Sequence, residues 1–340
     1  MRVAIIGSKI FDTIEYNFWE TFNAMDHEAK IFDHKDVLPS CGIGNVRLLI
    51  NEVITRKYGF ARWVYNKLFK KIVNYSPDLV VVFYRNVIPE FIEDLKYYRN
   101  DMPIIHVNPD HVCTLGRQYI LLSPYDAYFT KEPYWAETMR NKLNLNAYYL
   151  PESFNPRLHR KPDQSKEACE EQSGVDIVVA ASLYPYRIRF LEQLFQKINR
   201  DLNIRILGAK VPWAKTGLWK CHQGKSVFGK EKAKAFYEAK IVINNMSFAE
   251  YKGVNCRFFE VLGSGGFMLC DDKPTLKELA VPDKEVVTFS SINEAAEKIQ
   301  YYLEHPVERL EIARAGYERA VKNHTYEKRI ETIFSILGLG

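Results

Sequence analysis

Short apolar runs separated by amphipathic stretches recur along the whole chain, and their alternation is that of β-α-β units. In the first half the runs predict strands at Arg2 to Ile6, Ala29 to Phe32, Leu79 to Phe83, Ile104 to Val107, Ala127 to Thr130 and Ala147 to Leu150. A second series predicts strands at Asp176 to Ala180, Ile204 to Leu207, Ile241 to Asn244, Phe267 to Cys270 and Val286 to Phe289. Amphipathic segments at Ala61 to Val73, Lys230 to Ala239, Ile292 to Glu304, Val307 to Asn323 and Tyr326 to Leu337 read as helices. The expected class is α/β, with two Rossmann-like domains whose parallel sheets face each other across a cleft and bind ligand at the carboxyl ends of their strands.

A polar, proline-bearing stretch with the charged run Lys166 to Glu171 divides the two series. The expected organisation is a first domain over 1–150, a linker over 151–174, a second domain over 175–325 and a C-terminal helix over 326–340 that reaches back to the first domain. A chain of 340 residues with 47% hydrophobic content fills two cores of ordinary size.

The segment from Val254 to Asp271 joins a polar cluster, a helix, a glycine break and an apolar strand. Asn255, Arg257 and Glu260 fall within about 1.5 helical turns, so a helix opening near Asn255 brings N–H groups, a guanidinium and a carboxylate to one place. Helix N-termini and arginine forks bind phosphate, and a carboxylate accepts the hydroxyl protons of a ribose. A surface Arg and Glu on an amphipathic helix is the plain alternative.

The net charge is +5, yet from Val53 through Pro77 six basic residues stand with no acidic one. The helix there suits a peripheral contact with an anionic membrane through residues 56–73, or an ordinary solvated face. Six scattered cysteines without a C-x-x-C pair, a first strand with no charged leader before it, and the lack of an apolar run near the roughly 18 residues of a membrane span lead to a cytoplasmic expectation. Dispersed histidines argue against a structural metal. Trp213 and Trp219 sit in a loop expected to close over ligand.

Four blocks in the second half resemble the GT-B glycosyltransferases, and more closely the subgroup related to CgeB. They are Asp176 to Arg187, Lys240 to Asn244, Asn255 to Asp271, and Ala313 to Gly316 leading to His324-Thr325-Tyr326. The first half resembles the family in its Rossmann pattern and in Asn108-Pro109-Asp110. The resemblance implies that Glu260 holds the ribose, that Arg257 and the backbone after Asn255 neutralise a diphosphate, and that Arg187 adds a cation. It places Val227-Phe228-Gly229 where the family grips the base. Two positions depart from the pattern of many retaining members: Ser182 stands where they carry Arg, and Lys252 where they carry Glu.

The implied reaction moves a sugar from a nucleoside diphosphate donor to a saccharide, lipid-linked or other glycan acceptor, without a metal or other cofactor and with retention. In the first domain Asn108, Asp110 and His111 follow a strand's carboxyl end and are candidates for acting on the acceptor hydroxyl. Gly7 would approach the transferred sugar, and Tyr186, with Ser182 beside it, is a further donor-side candidate. The competing readings are a nucleotide-sugar epimerase, a non-catalytic nucleotide-sugar-binding protein and a glycosyltransferase acting on modified DNA bases. Nucleic acid is the least expected partner, since no DNA-reading motif is present.

Overall fold

The computed structural model describes residues 1–37, 58–111, 118–209 and 216–339. They divide into two compact units, Met1–Leu150 with Ile330–Gly340, and Pro151–Arg329.

The first unit runs β1 (Arg2–Ile6), α1 (Ile14–Ala24), β2 (Glu28–Phe32), α2 (Tyr58–Tyr75), β3 (Leu79–Val82), α3 (Pro89–Tyr98), β4 (Ile104–Asn108), β5 (Ala127–Thr130), α4 (Pro133–Leu143) and β6 (Ala147–Tyr149). Its six strands pair in parallel in the order β2-β1-β3-β4-β5-β6. Strands β3 and β4 are buried at every position, as expected for a sheet covered on both faces. The chain leaves β1 for β2 on one side and crosses to β3 on the other, so the switch point lies at the carboxyl ends of β1 and β3. Ala61, Val64, Leu68 and Ile72 form the buried stripe of α2, while Trp63, Lys67, Lys70 and Lys71 face solvent. Residues 56 and 57 of the expected basic segment, and Trp213 of the expected loop, lie outside the described residues.

The second unit runs α5 (Lys166–Ser173), β7 (Val175–Ala180), α6 (Pro185–Phe195), β8 (Ile204–Leu207), α7 (Gly229–Glu238), β9 (Ala239–Asn244), α8 (Cys256–Gly263), β10 (Met268–Asp271), α9 (Leu276–Leu279), β11 (Val287–Phe289), α10 (Ile292–Glu304) and α11 (Pro306–Asn323). A last helix, α12 (Tyr326–Leu337), belongs to this unit through Arg329 and to the first from Ile330 onward. The five strands are parallel in the order β11-β10-β9-β7-β8, which puts the switch point between β7 and β9. Alternate residues fill two cores. Ile177, Val179, Ile241 and Ile243 lie in one, and Val178, Ala180, Val242 and Met268 in the other.

Residues 151–174 differ from the expected linker, because they are folded into the second unit. Ser165 caps α5 by accepting from the Ala168 N–H. Lys166 on this helix is buried and donates to the carbonyls of Tyr237 and Ala239 at 2.8 and 2.9 Å, and it pairs with Glu170 at 3.0 Å. Glu170 also takes Arg309 at 2.6 Å, and Arg309 donates to the Tyr302 carbonyl. Lys166 and Glu170 of the charged run thus form, with Arg309, an internal network that ties α5 to α7 and α11, while Glu167 and Glu171 are exposed.

The His324-Thr325-Tyr326 block serves packing. His324 Nε2 lies 2.7 Å from the Leu279 carbonyl and its Nδ1 3.0 Å from an Arg329 nitrogen, so the imidazole is neutral with its proton on Nε2. Arg329 in turn donates to the carbonyls of Pro151, Glu152 and Asn323, with its guanidinium over the ring of Phe259 in α8. Helix α11 crosses α8 at Gly316, where a Cβ would lie 2.4 Å from the Glu285 carbonyl and 2.8 Å from Leu262 Cδ2. In the first unit, Phe334 of α12 packs on Phe22 and His27 at centroid distances of 6.1 and 5.4 Å.

Glu170→Ala leaves Lys166 and Arg309 buried without their carboxylate, and should cost about 3–5 kcal/mol of unfolding free energy in urea titrations; Glu170→Gln should cost less. Burial lowers the pKa of His106, beside the Tyr125 ring, from its ordinary 6.5 to about 4. Burial, with Arg329 and Arg319 adding to it, brings His324 to about 4 as well. The unfolded chain binds those protons below about pH 6.5 and the folded chain does not until about pH 4, so stability should fall as pH drops through that window. Melting temperatures taken from pH 7.5 to 4.5 check this, and His106→Phe should flatten the slope.

Candidate functional site

In the second unit the chemistry gathers at the carboxyl ends of β7 and β9 and at the start of α8. Asn255 is the N-cap of α8: its backbone is extended and its side-chain oxygen accepts from the Phe258 N–H at 3.2 Å. It also exchanges two 3.0 Å hydrogen bonds with the Asn244 amide at the end of β9. The Asn255 side chain therefore builds the turn and sets the direction of the helix, leaving the main-chain end of α8 as the anion-attracting feature.

Glu260, one turn into α8, is buried, with 6% of its surface exposed. Its Oε1 accepts from Lys232 Nζ at 2.7 Å and its Oε2 from Arg257 at 3.1 Å. Lys232 sits on the packed face of α7 with Ala233 and Phe236 and is as buried as the carboxylate, whereas Arg257 is partly open to solvent. A buried carboxylate is thus clamped between a buried ammonium and a guanidinium at the solvent edge.

Arg187, on the first turn of α6, is buried beside this cluster. Its guanidinium donates to the Ser182 carbonyl, to the Tyr186 hydroxyl at 2.7 Å and to the Asn245 carbonyl at 2.8 Å. Burial lowers its pKa, and Arg257 adds to that, while Tyr186, Glu250 and Asp271 act in the other direction. Arg187 is a clamp that joins the two loops at the switch point and raises the local potential there. Ser182 takes part through its carbonyl. The Tyr186 ring lies parallel to Tyr184 and against Phe248, and Tyr184 and Phe248 are exposed. Asp271 accepts from the Met246 N–H at 2.5 Å and from the Asn245 side chain, so it pins the loop after β9. Burial raises the pKa of its carboxyl, and those hydrogen bonds counter the rise.

Phe228 is the half-exposed residue before α7, and its carbonyl accepts from the Glu231 and Lys232 N–H groups. Gly229 begins α7 with φ of +49°, a conformation that favours glycine.

In the first unit, Asn108 is buried and closes a turn with the Asp110 backbone at 2.9 and 3.1 Å. Asp110 pairs with Arg85 at 3.0 Å, both half exposed. His111 Nε2 accepts from the Trp135 indole at 2.9 Å, which puts the ring proton of neutral His111 on Nδ1. The space a Cβ at Gly7 would take is filled by the Glu15 side chain, 2.4 Å away. That glycine lets α1 lay Glu15 over the turn, and the Ser8 N–H points to the Glu15 carboxylate at 3.5 Å.

Lys232, Asn244, Asn245, Glu250 and Asp271 line or support the second-unit cluster and were not among the residues singled out in the sequence. Lys232 carried a usable signal: it occupies a core position of the α7 stripe, four residues before the buried Phe236, where a lysine needs a partner.

With this geometry in view, comparisons with known proteins are specific. Residues 187–335 match the model of a family described as glycosyl transferase-like. The spore protein CgeB of Bacillus subtilis (strain 168) is 24% identical over 76% of this chain and 82% of its own length. Sucrose-phosphate synthase from Thermosynechococcus elongatus superposes with a TM-score of 0.72 at 12% identity, over 99% of this chain and 98% of its own. Anabaena HepE, solved in complex with UDP-glucose, superposes with a TM-score of 0.69 at 11% identity over the whole of both chains. The fold is GT-B.

Asn255→Ala should remove the α8 cap at a cost of about 1 kcal/mol, read from chemical denaturation. The same variant should leave Asn244 without its amide partner and raise the cost above that of an exposed cap.

Proposed function

We propose that this chain, a glycosyltransferase of the GT-B type, transfers a sugar from a nucleoside diphosphate sugar to a saccharide, lipid-linked or other glycan acceptor, with retention and without a metal ion. The observation that carries the reading is the carboxylate of Glu260 held between Lys232 and Arg257 on the first turns of α8. A fixed carboxylate accepts the two hydroxyl protons of a ribose, and Arg257 with the helix N-terminus meets the diphosphate one turn away. HepE binds UDP-glucose in a structure of the same fold, which supports a donor of this class.

Breaking the anomeric C–O bond places negative charge on the leaving diphosphate. Arg257 at the solvent edge and the α8 dipole supply positive potential there, and the buried Arg187 adds to it without leaving its carbonyl partners. That provision supports a transfer that proceeds without a metal ion. Phe228 and Gly229 would flank the base, and Tyr186, Tyr184 and Phe248 offer ring faces to a sugar. In the first unit Asp110, held by Arg85, and His111, held by Trp135, are the groups we assign to orienting the acceptor, with Asn108 shaping their turn and Gly7 the neighbouring one. No described helix is long and apolar enough to cross a membrane. We assign a cytoplasmic site of action, with Trp63, Lys67, Lys70 and Lys71 of α2 as the surface that would meet anionic lipid.

The test is a thermal-shift and donor-hydrolysis screen against UDP-, GDP-, TDP- and ADP-sugars with EDTA present, on the wild type, Glu260→Ala and Arg257→Ala. One nucleotide should raise the melting temperature by several degrees and its sugar should be hydrolysed slowly, with both responses lost in the two variants. A wild type that ignores every nucleotide would sink the reading, and activity only after adding a divalent ion would overturn its metal-free part.

A further inference from the structure

The three side chains of the Glu260 cluster are not equivalent. Lys232 and Glu260 are both inside the protein, with 6% and 8% of their side chains exposed, and come from different helices 28 residues apart. Arg257 is more open, at 27%, and is joined to Glu260 along a single helix at the i, i+3 spacing. A buried pair is held by the cost of separating it, whereas a partly exposed guanidinium exchanges partners at small cost.

We infer that Lys232 is a positioning residue for the donor: it keeps Glu260 ionised and aimed, so that Arg257 can leave the carboxylate for the diphosphate when nucleotide binds. This rests on the donor-site reading above and adds to it a division of labour. Without Lys232, Arg257 would be held more strongly on the buried carboxylate. Nucleotide binding would then have to break that pair.

Lysine 232 replaced by methionine keeps length and apolar packing but removes the charge, and arginine restores it. Binding of UDP, or of whichever of GDP, TDP and ADP gives the larger thermal shift, is measured by calorimetry for wild type, Lys232→Met, Lys232→Arg, Glu260→Gln, Arg257→Ala and Lys232→Met/Glu260→Gln. Lys232→Met should weaken binding about tenfold or more, the scale of a lost charged hydrogen bond. Lys232→Arg should stay within about threefold of the wild type, since it keeps the charge. In donor hydrolysis the Lys232→Met loss should fall on KM more than on kcat, which a general loss of stability would not produce.

The double variant, in which neither buried charge survives, should bind no worse than Glu260→Gln alone, because both substitutions act on one interaction. It also serves if the single methionine variant does not fold. Wild-type affinity in Lys232→Met, or a double variant whose loss is the product of the two single losses, would overturn the inference while leaving the donor site standing. Unchanged binding in Glu260→Gln and Arg257→Ala would instead remove the donor-site reading itself, and a wild type that binds none of the four nucleotides would remove both.

Discussion

A carboxylate inside a protein needs compensating charge, and the second unit is arranged around meeting that need for Glu260. Lys232 can reach it because α7 lies beside α8, and α8 is in place because its cap, Asn255, is paired with Asn244 at the end of β9. Gly316 brings α11 onto the outer side of α8, and Arg329 lies over Phe259 on the same helix. The position of one carboxyl group therefore depends on the sheet, three helices and the segment after Pro151. Elements far from Glu260 set the position of its carboxyl group by holding this helix.

The strands were readable because a parallel sheet covered on both faces asks for unbroken apolar runs, and Val80 to Val82 or Ile241 to Ile243 have no other economical use. Their ends were less so. Phe267 reads as strand but precedes β10, and Val175 and Ala239 extend their strands by pairing with each other across the sheet, a long-range bond that no local pattern announces. The misread linker has the same cause. Lys166, Glu170 and Arg309 are solvated charges by any local criterion, and only the fold brings residue 309 to residue 170.

The grouping at the start of α8 was legible because neighbours in sequence are neighbours in space there. Asn255, Arg257 and Glu260 share one helix, so their grouping follows from spacing alone. What spacing could not give was each group's commitments: Arg187 reads as a phosphate ligand yet is bound to two carbonyls and a tyrosine, and Asp271, at the end of β10, is committed to pinning the loop after β9. His111 and Asp110 were placed at a strand end from local pattern, but their partners come from elsewhere, Trp135 from α4 and Arg85 from the loop after β3.

Helix α12 has a consequence for how the protein is made. Ile330–Gly340, synthesised after the whole of the second unit, complete the unit that begins with Met1, and Phe334 packs on Phe22 and His27. On the ribosome the first unit must wait for the whole second unit to be translated before that patch is closed. Until those residues emerge Phe22 lacks its Phe334 neighbour, so the first unit carries an uncovered apolar patch while the second is being made.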